Sequence, residues 1–170
     1  MTAWRFLAPF AFALLFFPCI ASAEPPSEGW ACWHEAAERY SVAVTLLYAI
    51  ARVETRNESA HVSGHRNGSK DIGLMLINTW WLPKLREYGI TAEALVTDDC
   101  LNLNVGAWIL SQTLARYGYT WRGIGAYNAT TDWKRARYAR KVLREVRLIR
   151  REYGSPDDGG TLVAGVDDGR

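Results

Sequence analysis

The chain has 170 residues, is 49% hydrophobic and 22% charged, and carries a formal net charge of +2 at pH 7. That is enough chain for one domain with a real core. Neither this charge nor any phosphate loop, Ser-His-Asp set or nucleic-acid module points to a nucleotide or nucleic-acid partner.

Residues 1–23 read as a secretory signal peptide. MTAWR supplies a positive charge, FLAPFAFALLFFPCI an apolar run, and Ala21-Ser22-Ala23 a small-x-small cleavage pattern before Glu24. A membrane anchor is the alternative, for which the run is short. Export to the periplasm, or secretion, is then expected. The mature chain keeps Cys32 and Cys100, and in an oxidising compartment these form one disulfide unless both stay as buried thiols.

Helical patterns dominate the mature chain. Residues 30–40 and 42–55 form two helices. The segment 61–71, HVSGHRNGSKD, is polar and reads as loop or a small hairpin. Residues 79–88 read as a helix stopped at Gly89, and Asp98 and Asp99 open a helix to Tyr117 with Gly118 past its end. Shorter and longer helices cover 121–127 and 133–152. The last has an apolar stripe of Tyr138, Val142, Val146 and Ile149, and nine Lys or Arg in 134–151 against one acid, Glu145. That face either attracts an anionic wall or lipid surface or is simply solvated. Domain boundaries fall at 24–152, with 153–170 a flexible tail.

One glutamate breaks the pattern. Leu47, Ile50 and Glu54 lie on one side of the second helix. A carboxylate on an apolar face loses hydration, and the negative end of the helix dipole acts in the same direction. Both raise its pKa, as a general acid requires. The structural alternative is a helix-end glutamate turned to solvent or paired with Arg52 or Arg56. Asp71 lies 17 residues further on, in a polar segment where a carboxylate stays ionised. Two carboxyls in divergent environments are what glycoside cleavage uses.

Three motifs in order, ARVETRN, GSKDIGLMLIN with TWWLP, and AYNA, resemble the lysozyme-like lytic transglycosylase family. More narrowly, they are similar to the small muramidases that accompany type III secretion, type IV pili and conjugation systems. The resemblance implies a mainly α, lysozyme-like α+β fold: a single helical domain with a small loop or hairpin beside the cleft. It implies cleavage of the β-1,4 bond between N-acetylmuramic acid and N-acetylglucosamine. Glu54 matches the catalytic acid, which then acts as base on the muramic C6 hydroxyl to leave a 1,6-anhydro end. Thr55, Asn57, Met75, Asn78, Tyr127 and Asn128 match motif positions expected to touch substrate. Trp80 and Trp81 offer indole faces for sugars, although neighbours on a helix cannot both face one cleft. Trp108, on a stripe with Leu101 and Val105, reads as core.

The chain departs from the family pattern at Thr55 (usually Ser), Leu76 (usually Gln) and Thr130 (usually Gly). Leucine lacks the amide's donor and acceptor, and a β-branched residue disfavours positive φ. Asp71 divides the chemistry. Poised at the sugar C1 it would support a hydrolytic muramidase; turned to solvent it leaves the reaction to the substrate's N-acetyl group. A third reading is a wall-binding assembly protein whose catalysis has faded, with Leu76 as its mark. The expected partners are peptidoglycan strands and parts of a secretion or pilus apparatus, for a monomer without cofactor. His61 and His65 sit in a loop with no third ligand, so no metal site is expected.

Overall fold

In a computed structural model the chain is described over residues 27–154, so the signal-peptide reading and nearly all of the tail reading lie outside the described residues. The described helices are α1 (Ser27–Tyr40), α2 (Val44–Thr55), α3 (Leu82–Arg86), α4 (Ala92–Thr97), α5 (Asp99–Tyr117), α6 (Trp121–Ala126) and α7 (Asp132–Tyr153). Between α2 and α3 lie three short strands, β1 (Val62–Gly64), β2 (Lys70–Ile72) and β3 (Ile77–Asn78), antiparallel in the order β1-β2-β3. The architecture is mainly α, of the lysozyme-like α+β kind. Among the described residues no helix is long and apolar enough to cross a membrane.

The core forms where the apolar stripes of the long helices meet. Leu47 and Ile50 of α2, Leu103 and Leu110 of α5, and Val142 and Ile149 of α7 are at most 1% exposed. Each such side chain contributes roughly 1.5–3 kcal/mol by leaving water. The stripe expected on the last helix is buried at Tyr138, Val142, Val146 and Ile149, and α7 packs on both α2 and α6. Gly125 permits the close approach of α6 to α7, because a Cβ there would stand 2.4 Å from the Arg135 carbonyl oxygen. Cys32 and Cys100 are joined, tying α1 to the first turn of α5 across 68 residues; the thiol alternative is set aside.

Two elements differ from the sequence reading. Residues 79–88 do not make one helix. Thr79–Trp81 is a 3₁₀ turn and α3 starts at Leu82, because Pro83 has no N–H to donate and fits only a first turn. Helix α4 was not expected; Thr91 caps it by accepting from Ala94 N at 3.1 Å. The hairpin expected within 61–71 is present, and the third strand extends it.

Candidate active site

Glu54 reaches the groove from the last turn of α2. The helix ends at Thr55, and Arg56 follows in the left-handed conformation, φ 57°, closing the helix with bonds to Ala51 and Arg52 carbonyls. Glu54 is half-buried. Burial pushes its carboxyl up from the ordinary 4.5 to about 7. Asp71 across the groove adds to the rise, while the Tyr138 hydroxyl, Lys141 and the Asn128 amide oppose it. Tyr138 donates to Glu54 Oε1 at 2.5 Å. The glutamate therefore neither turns to solvent nor pairs with Arg52, which bonds Glu145 and Glu152 instead.

Asp71 stands on the central strand, opposite Ser63 on one side and Asn78 on the other. Both of its oxygens are engaged. Asn78 Nδ2 donates to Oδ1 at 2.7 Å, and His65 Nε2 lies 2.6 Å from Oδ2. Asn78 also uses its own Oδ1 to accept from Trp80 N, so one amide fixes both the aspartate and the turn after β3. His65, read from the sequence only as a poor metal candidate, thus belongs to the site. Among the described residues no three His, Cys, Asp or Glu side chains gather to hold a metal ion.

The groove between these carboxyls has a volume of about 390 Å³. Beyond Glu54, Asp71, His65 and Asn78, its walls include Leu76, Trp81, Tyr127 and Asn128. Trp81 is held edge-on against Trp108, centroids 5.3 Å apart. Trp108 is half-buried and packs against the core, as its stripe suggested, with its ring behind Trp81. Trp80 is 71% exposed and lies outside the groove.

The turn that carries Leu76 is suspended from α5, from α2 and from the residue that caps α6. Asn102 of α5, wholly buried, accepts from Met75 N and donates to the Ile72 and Leu95 carbonyls at 2.8–2.9 Å. Thr55 donates to the Leu74 carbonyl at 2.9 Å, and Tyr127 to the Met75 carbonyl at 2.8 Å. Gly73 sits at φ 71°, and a Cβ there would lie 2.1 Å from Asn102 Nδ2, so no other residue fits. Leu76 itself takes φ 47°.

The residues expected to touch substrate are placed differently from one another. Thr55 is 6% exposed and Met75 fully buried, and both brace the turn from inside the fold. Asn57 faces a separate cavity between α2 and α7. Tyr127 lines the groove, but its hydroxyl serves Met75, and the tyrosine on the acid is Tyr138. Thr130 does not take a positive φ, so its branching is accommodated. Asn102 and Tyr138 were missed in the sequence. Asn102 is a polar residue inside an otherwise apolar helix stripe, and that was the available signal.

The transglycosylase SLT domain matches residues 31–144. The chain is 40% identical to the "Invasion protein IagB" of Salmonella typhimurium over 126 residues, 71% of this chain and 79% of that protein. It is 36% identical to "Protein IpgF" of Shigella flexneri over 151 residues, 86% and 95% of the two chains. It is 34% identical to a "Peptidoglycan-binding-like protein" of Escherichia coli O157:H7 over 123 residues, 66% and 74%. With an acid glutamate facing an aspartate across a sugar-sized groove, the chain belongs to the SLT transglycosylase family and is a lytic transglycosylase acting on peptidoglycan.

Proposed function

We propose that Glu54 alone carries the proton transfers and that the product ends in a 1,6-anhydromuramic ring. Glu54 gives its proton to the glycosidic oxygen as the C1–O bond breaks. It then takes the proton of the muramic C6 hydroxyl as that oxygen closes on C1. One proton leaves the acid and one returns, and no water is consumed. The observation that carries this reading is the carboxyl held protonated to about pH 7 by burial at the groove wall. Asn128, Asn78 and Trp81 would hold the sugars.

Asp71 supports the developing positive charge through space. Its oxygens already accept from Asn78 and pair with His65, which disfavours it as a nucleophile. A second reading keeps hydrolysis, because Asp71 faces Glu54 across the same groove. Digestion of peptidoglycan in ¹⁸O-labelled water separates them. Fragments free of label support the intramolecular reaction; one ¹⁸O per new reducing end would replace it with hydrolysis.

The chain acts after export, with 1–23 as its leader and 24–152 as its catalytic domain, as a monomer in the periplasm. It opens the wall locally for a secretion or pilus apparatus. The names of its relatives, an invasion protein and a peptidoglycan-binding-like protein, support this role.

A further inference from the structure

The basic face of α7 takes no part in the proton transfers, yet it leads directly out of the groove. Asn128 lines both the catalytic groove and a neighbouring cavity of about 330 Å³, whose wall includes Lys134, Arg137 and Lys141. Lys141 in turn lines the next cavity, of about 650 Å³, with Arg144. Lys134, Arg137, Lys141 and Arg144 succeed one another at steps of three, four and three, so they form a row on one helix face. The row flanks Tyr138, the residue bonded to the catalytic acid.

These cations are exposed, and Lys141 acts on the Glu54 carboxyl from beyond pairing distance. Among the described residues none of the four has a carboxylate at ion-pairing distance, because Glu145 and Glu152 are taken by Arg52 and Asp132 by Arg122 and Arg135. Lys134 and Arg137 also hold their charges over the exposed Trp133 ring, at 5.5 and 5.7 Å from its centroid. A merely solvated helix face would not connect to the active groove through shared walls.

We infer that this row binds the carboxylates of the peptide stem borne by the muramic acid being cleaved. The inference rests on the peptidoglycan reading of the groove. The stem leaves the sugar at its lactyl ether, beside the scissile bond, and carries free carboxylates along its length. From Lys134 to Arg144 the helix rises about 15 Å, and four extended peptide residues span about 13 Å. The row thereby makes stem-bearing strands better substrates than bare glycan.

The test compares cleavage of glycan strands that carry uncrosslinked stems with the same strands stripped of peptide by an amidase. The wild-type protein and a Lys134→Gln/Arg137→Gln/Arg144→Gln variant are both used. Lys141 is left in place because its charge acts on Glu54. The expected result is a preference of about tenfold for stem-bearing strands, weakened by salt and falling toward one in the variant. Equal rates on both substrates in the wild type would overturn this inference and leave the transglycosylase reading standing. So would a preference unchanged by the substitutions, including the case where the variant loses only its binding to phosphatidylglycerol vesicles. Cleavage of neither substrate by the wild type would instead remove the reading on which the inference rests.

Discussion

The hydroxyl of Tyr138, on α7, donates to Oε1 of Glu54, on α2, at 2.5 Å. The bond joins two helices and bears on the acidity of the proposed catalytic acid. It favours the carboxylate, against the burial that favours the carboxylic acid, and burial wins.

Removing that bond has a predictable sign. Tyr138→Phe deletes an interaction that lowers the Glu54 pKa, so the pKa rises further above about 7. The alkaline limb of the pH–rate profile, where the acid loses its proton, moves to higher pH. A pH–rate profile of the variant against the wild type checks this; a limb moved downward contradicts it. Tyr138 is 6% exposed and also packs in the core, so rates are compared after confirming equal folding.

Glu54 also weakens the fold at high pH. Its pKa is about 7 in the folded chain against the ordinary 4.5. The native state therefore binds the proton more tightly, and stability falls as pH rises from about 4.5 through 7. Above that window the cost is on the order of 2 kcal/mol after allowing for the partial exposure of the group. Glu54→Gln should thus be inactive yet more stable than wild type at pH 8, with the gain gone at pH 4. Urea unfolding at the two pH values measures it.

Inside the core Asn102 accepts from Met75 N in the Gly73–Met75 turn and donates to the Ile72 carbonyl just before it and to the Leu95 carbonyl of α4. Asn102→Leu keeps the size but strands Met75 N–H and two carbonyls away from water. A loss of roughly 3 kcal/mol or more is expected, together with loss of cleavage, because the turn carries Leu76 into the groove. Gly73→Ala should do the same by collision with the Asn102 amide. Denaturation midpoints and cleavage rates of the two variants are the measurements.

The bond between Cys32 and Cys100 closes 68 residues of chain. On the chain-entropy account its reduction lowers stability by about 4 kcal/mol. Thermal unfolding with and without reductant should show a large fall in Tm, and an unchanged Tm would contradict that account.

Much of the fold was legible in the sequence because the signals are local. Leu47, Ile50 and Glu54 fall on one face at helical spacing, so the odd carboxylate could be read without knowing its surroundings. The caps at Asp98 and Gly118 set the bounds of α5 in the same way. The illegible parts are those fixed by distant chain. Tyr138 meets Glu54 across 84 residues and Asn102 meets Met75 across 27. Nothing in a local window marks such partners. Thr55 and Met75 matched motif positions, but a motif records which residues recur and not which way they face. His65 looked like a ligand without a set, since its partner Asp71 only comes near when the hairpin folds. The 79–88 segment misled because its apolar spacing is helical while Pro83 forces a restart.

Cleavage of the glycan by intramolecular transfer at Glu54 is tested most directly on purified sacculi. These are digested with residues 24–170 and, in parallel, with the Glu54→Gln variant, and the released muropeptides are weighed by mass spectrometry. Fragments one water lighter than reducing muropeptides, present with the wild type and absent with the variant, are the predicted result. Reducing ends, or fragments that persist with the variant, would contradict it.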